Sequence, residues 1–197
     1  MPSASTETLG EAGDHAPVFP GTYTTHFQPP LTLTVGDEVS LDCAPGFTCR
    51  GYVNANSDGW LDLDFGVSRQ AELMLIRLDK VYDPASPSKL IDAPADLAAW
   101  LQASAGTVVF EPPTAVSIGG MAATQFDVRT GGEAQFGLIA GGYGQAGIGP
   151  SALRVILVRV HDHLVLITEW FGEKNTVRDR HATVAWLQPI IDSIVWL

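Results

Sequence analysis

Two apolar runs, Leu153 to Val160 and Leu164 to Trp170, meet at His161, Asp162 and His163, and a helical pattern then continues almost to the last residue. Each run has the length of a strand and is bounded by a polar turn, so the segment reads as a β-hairpin followed by a terminal helix. Both strands are apolar on both faces. That places them at the centre of a sheet covered above and below, or in the middle of a sandwich. The helix is expected from about Thr176 to Ile194, with Val184, Leu187, Ile191 and Ile194 on its buried face. Arg178, His181, Ala185, Gln188 and Asp192 form the opposite, solvent-facing stripe, and Pro189 should kink the helix near Trp186 or divide it.

The rest of the chain supplies more strands than helices. Residues 1–17 are expected to be a disordered polar leader, and a single domain is expected over 18–197. Gly21 to Phe27 and Leu31 to Val35 alternate as half-buried strands. Asp58 and Gly59 form a hairpin turn before Trp60 to Phe65, where Leu61, Leu63 and Phe65 point to the core and Trp60, Asp62 and Asp64 to solvent. Glu72 to Leu78 is a buried strand. Tyr82 to Ser88, rich in proline and serine, reads as a linker into a short middle helix capped by Asp92, carrying Leu97, Trp100 and Leu101 inward and ending at Gly106. Strands at Thr107 to Phe110, Ala115 to Ile118, Ala123 to Val128 and Ala134 to Ile139 follow, with Gly119-Gly120 and Gly131-Gly132 as turns. The expected class is α+β: an antiparallel sheet or meander packed by a short middle helix and a C-terminal helix.

Charge narrows the partners. Eleven basic residues stand against 22 acidic ones, a net charge of −11, and no Lys/Arg cluster interrupts the balance. Phosphate backbones and anionic membranes are repelled, so nucleic acid is not expected as a partner. No apolar run reaches the roughly 20 residues of a membrane helix. Cys43 and Cys49 enclose a Pro-Gly turn and are either a disulfide or two free thiols; the disulfide, with the polar leader, predicts an extracytoplasmic protein, secreted or lipid-anchored in its precursor. One such pair does not make a structural zinc site.

Three segments invite a chemical reading. Gly142 to Gly147 satisfies the G-x-G-x-x-G spacing, but Pro150 and a strand follow where dinucleotide binding needs a helix, so a loop is expected instead. Asn54, Asn56, Asp58 and Asp62 stand at positions one, three, five and nine of a calcium loop with Gly59 at six, yet Phe65 occupies the position of the bidentate Glu. His161 and His163 could share a transition metal if a third ligand approached, with His26 as a further candidate; the bland alternative is an exposed turn. No cofactor is expected, with calcium or a transition metal as the alternatives. Tyr52, Trp60, Tyr143 and Trp170 fall at strand ends or in loops, where exposed rings would make a binding surface together with Gly144.

From about Gly21 to Trp196 the order of elements resembles the PsbP-like α/β sandwich of bacterial exported, lipoprotein-type domains. The resemblance is carried by Leu31 to Val35, the helix at Asp92 to Ser104, the double-glycine turns and the ending Ile191 to Trp196. It implies helices covering an antiparallel sheet, in a binding or assembly module with no shared catalytic residue. Without a coherent catalytic set, the expected function is an exported, non-catalytic module that binds a small molecule or protein, with contacts from the 141–149 loop and neighbouring aromatics. The alternative is a small metal-assisted hydrolase or isomerase using His161, His163 or His26 with a carboxylate.

Overall fold

The computed structural model of the 197-residue chain describes residues 7–9, 16–36, 51–65, 71–104, 106–130, 134–137, 145–148, 152–171 and 177–197. In chain order the elements are β1 (Glu7–Thr8), β2 (Ala16–Val18), β3 (Gly21–Thr24), β4 (Leu31–Val35), β5 (Gly51–Ser57), β6 (Trp60–Asp64), β7 (Ala71–Arg77), β8 (Lys80–Asp83) and β9 (Ser86–Asp92). Helix α1 (Leu97–Ala103) precedes β10 (Val109–Phe110), β11 (Thr114–Ile118), β12 (Met121–Thr130), β13 (Ala134–Gly137), β14 (Gln145–Ile148), β15 (Ala152–Val160) and β16 (His163–Phe171). Helix α2 (Val177–Asp192) and β17 (Val195–Trp196) complete the chain.

The fold is dominated by sheet, which corrects the expected α+β balance: among the described residues strands make up 59%, and the two helices have seven and sixteen residues. The difference comes from segments whose local sequence reads as linker. Tyr82 to Ser88 folds as part of the β8–β9 hairpin, turned at Pro84 and Ala85, where Asp83 Oδ1 accepts from Ala85 N at 2.9 Å. An Asp-Pro turn with a side-chain bond back to its own backbone suits a reversal as well as a linker. Asp92 therefore ends β9, opposite Lys80, and the cap of α1 is Asp96, which accepts from Ala99 N at 2.9 Å.

Nine strands form the main sheet in the order β10-β12-β15-β16-β7-β6-β5-β2, with β11 also pairing to β12. The β15–β16 hairpin sits near its centre, turned at the exposed His161 and Asp162; His161 takes φ 51°, the left-handed backbone of a tight reversal. A second sheet, β1-β3-β4-β17, brings the last strand against β4. It is tied there by Trp196 Nε1 donating to Ile118 O at 2.9 Å and Leu197 N to Pro30 O at 2.8 Å. The Trp196 indole lies so close to Gly119 (φ 56°) that a Cβ there would stand 2.6 Å from the ring, so the double-glycine turn is needed for space as well as conformation.

Alternation along the strands divides the main sheet's side chains between two cores. Leu61, Leu63, Leu73, Leu75, Ile156, Val158, Val165 and Ile167 pack against the second sheet and α2 through Leu31, Leu33, Trp186, Leu187, Ile190 and Ile191. Ile76, Phe126, Val155, Leu157 and Leu166 pack on the other side against Val81, Trp100, Leu101 and Val108. Helix α2 continues through Pro189, which lies in its last turn, so one continuous helix replaces the expected division. Among the described residues no helix is long and apolar enough to cross a membrane.

Candidate functional site

Beta-strand pairing between β12 and β15 runs from Ala123↔Val158 to Asp127↔Arg154 and stops there, because a bulge at 152–154 turns β15 aside. Past that point β12 stays paired only along its other edge, to β10, through Phe110↔Val128 and Val109↔Thr130. The parted strands and the first turns of α2 enclose a cleft of about 430 Å³, lined by Glu111, Asp127, Val128, Arg129, Leu153, Arg154, His181 and Val184. Its volume falls in the range of roughly 300–1,000 Å³ that small-molecule sites occupy.

Arg154 is the inner wall. Its side chain is only 12% exposed, and it donates from Nε to Asp127 Oδ1 at 2.7 Å and from Nη1 to Gln188 Oε1 at 2.7 Å and Glu169 Oε1 at 3.4 Å. Gln188 in turn donates to Asp192 Oδ1 at 2.7 Å, and Gln125 Nε2 to Asp127 at 3.3 Å. At the mouth Arg129 makes a two-pronged pair with Glu111, Nε to Oε1 at 2.7 Å and Nη2 to Oε2 at 2.9 Å. Among the described residues, Arg154 Nη2 and Arg129 Nη1 have no acceptor.

Glu169 lies behind Arg154, with no exposed side-chain surface and its Oε2 without a partner among the described residues. Burial pushes its carboxyl up to about 8 against the pull of the Arg154 charge, and Asp127 adds repulsion. Burial thus favours the protonated carboxyl. Among the described residues the lining includes no serine, threonine or cysteine.

The opposite face carries Tyr52, Asn54, Trp60, Asp62 and Trp170 of the residues singled out from sequence. Tyr52, Asp64, Glu72 and Trp170 form one row across β5, β6, β7 and β16, and Asp62 and Trp60 lie in the rows beside it. Trp60 and Trp170 are half-buried against the second core. Asp62 and Asp64 are half-buried there too, and not in solvent as alternation alone predicts, because this face is covered. Asp62 donates to Glu72 and accepts from Asn54; burial, with repulsion from Glu72 and Asp64, raises its carboxyl to about 8, and burial also raises Glu72.

Alternation separates the calcium-loop candidates. Asn54 and Asp62 meet, but Asn56 pairs with Leu61 on the other face, where it donates to Leu9 O at 3.2 Å and accepts from His26 N at 2.8 Å; Asp58 is exposed in the turn. His161 and His26 are exposed and His163 half-buried. Among the described residues no three His, Cys, Asp or Glu side chains are placed to hold one metal ion. Cys43, Cys49, Tyr143 and Gly144 lie outside the described residues, whereas Gly147 sits in strand β14 and not at a helix start.

Sequence reading overlooked Arg154 and Glu169, two charges inside apolar runs, and placed Gln188 on the solvent stripe. A signal was available. A hairpin turned at His161 and Asp162 sets Val160 against His163, and counting outward sets Arg154 against Glu169. Comparison with known proteins finds no family model, no curated protein and no solved structure that matches this chain. The resemblance to the PsbP-like sandwich therefore rests on its sequence features alone.

Proposed function

We propose that the chain is a non-catalytic binding module for a small molecule, held in the cleft between β12, β15 and the start of α2. The observation that carries this reading is the cleft itself: a cavity of about 430 Å³ with an apolar wall of Val128, Leu153 and Val184 and two arginines set by their own ion pairs. Sites of that make-up orient a ligand by a few fixed polar groups and bind it through apolar contact. The aromatic face is the less favoured location, since Trp60 and Trp170 already spend ring surface on the second core. With the Cys43 and Cys49 pair read as a disulfide, we place the module outside the cytoplasm.

A fragment library screened by NMR against methyl-labelled protein tests the reading. Binders should move the methyl resonances of Val128, Leu153 and Val184, and Val184→Trp, which fills the cleft, should abolish those shifts. Fragments that move only resonances near Tyr52, Trp60 and Trp170, or none at millimolar concentration, overturn it.

A further inference from the structure

The charges around the cleft alternate in sign. Arg129 stands with Glu111 and Arg154 with Asp127, so the two guanidinium groups and two carboxylates of the lining balance. Yet neither sign is used up. Each guanidinium keeps one nitrogen without an acceptor among the described residues, and the Glu111 and Asp127 side chains remain 44% and 47% exposed, with oxygens open to further donors. A simple anion would satisfy the guanidinium donors but face two carboxylates and the repulsion of a chain of net charge −11. A simple cation would satisfy the carboxylates and face two arginines. Only a ligand carrying both charges close together meets donors with its acceptor end and acceptors with its donor end, while Val128, Leu153 and Val184 remain for an apolar body.

Resting on the small-molecule reading of this cleft, we infer that its ligand is a zwitterion of the α-amino-acid type with an apolar side chain. Its carboxylate sits at the free edges of Arg154 and Arg129, and its ammonium group at Glu111 and Asp127. Gln188 and Glu169 act as positioning residues, holding Arg154 by its far edge so that its remaining nitrogen is fixed.

The test titrates the full chain with L-leucine, L-valine and L-methionine, and with two leucine analogues that each lack one charge: isocaproate, without the ammonium, and isoamylamine, without the carboxylate. Methyl shifts at Val128, Leu153 and Val184 report the site. At least one of the amino acids should bind, each leucine analogue should bind about tenfold or more weakly than leucine, and Arg129→Gln, a change at an exposed side chain that leaves the fold intact, should weaken amino-acid binding by about tenfold. If isocaproate or isoamylamine binds in the cleft as well as leucine, the zwitterion inference fails while the small-molecule reading stands. If no amino acid moves those resonances but other fragments do, the inference fails in the same way; if nothing does, both fail.

Discussion

Glu169 and Asp62 face opposite sides of one sheet, and both carboxyls are raised to about 8 in surroundings that differ in sign. Asp62 shares its site with Glu72 and Asp64, so like charge and burial push the same way. Glu169 lies 3.4 Å from a guanidinium, which pulls the other way, and still ends at the same place. Burial is the leading cause in both, and the Arg154 charge is divided between Glu169 and Asp127, whose contact is shorter at 2.7 Å. A nearby opposite charge therefore does not ionise a carboxyl that no water reaches when a better-solvated carboxylate competes for it. The two sites differ in what their removal exposes: on one side a guanidinium, on the other only a second acid.

The largest separation between the faces should come from Arg154→Met. It leaves the half-exposed Asp127 carboxylate without its partner and Gln188 without its donor, and should cost about 1 to 3 kcal/mol in chemical denaturation. A loss below about 1 kcal/mol would show that Arg154 does not organise this side of the sheet. The pH dependence comes next. Both folded carboxyls bind their protons more tightly than the unfolded chain does, so the stability they contribute is fully present below about pH 4 and is lost as pH rises through about 8. The slope between those limits is at most about 1.4 kcal/mol per pH unit for each group. Asp62→Asn and Glu169→Gln should each remove one share of it, and carbon-detected NMR titration should place both midpoints well above the ordinary carboxylate range. An ordinary midpoint for Glu169 alone would mean that Arg154 wins after all. Smallest is Arg129→Gln: its pair with Glu111 is exposed, and the denaturation midpoint should not move, in contrast to the largely buried Arg154.

Much of this arrangement is written locally. Leu61, Leu63 and Phe65 alternate onto one core as their spacing predicts, Asp58 and Gly59 turn a hairpin, and the Leu153 to Trp170 region pairs in the expected central position. The cleft was less legible because it depends on where β15 leaves β12, and the bulge at 152–154 has no sequence marker comparable to the Asp58-Gly59 turn. The same limit hid the second sheet, whose β4 and β17 lie at opposite ends of the chain. It also hid the β8–β9 hairpin, whose Pro84 suits a turn and a linker equally.

The sequence by itself determined which residues share a strand face, where the chain reverses, and that Arg154 must oppose Glu169 once the hairpin turns at His161 and Asp162. Period-two alternation and turn chemistry are short-range, and neighbouring residues carry them. Tertiary structure alone decided that Glu169 is sealed from water, that Gln188 points to Arg154 instead of solvent, that Asp62 lies under a covered face, and that β12 and β15 part around a cavity. Each of those depends on two surfaces distant in sequence coming together, and burial, with the pKa shifts it causes, exists only once they have met.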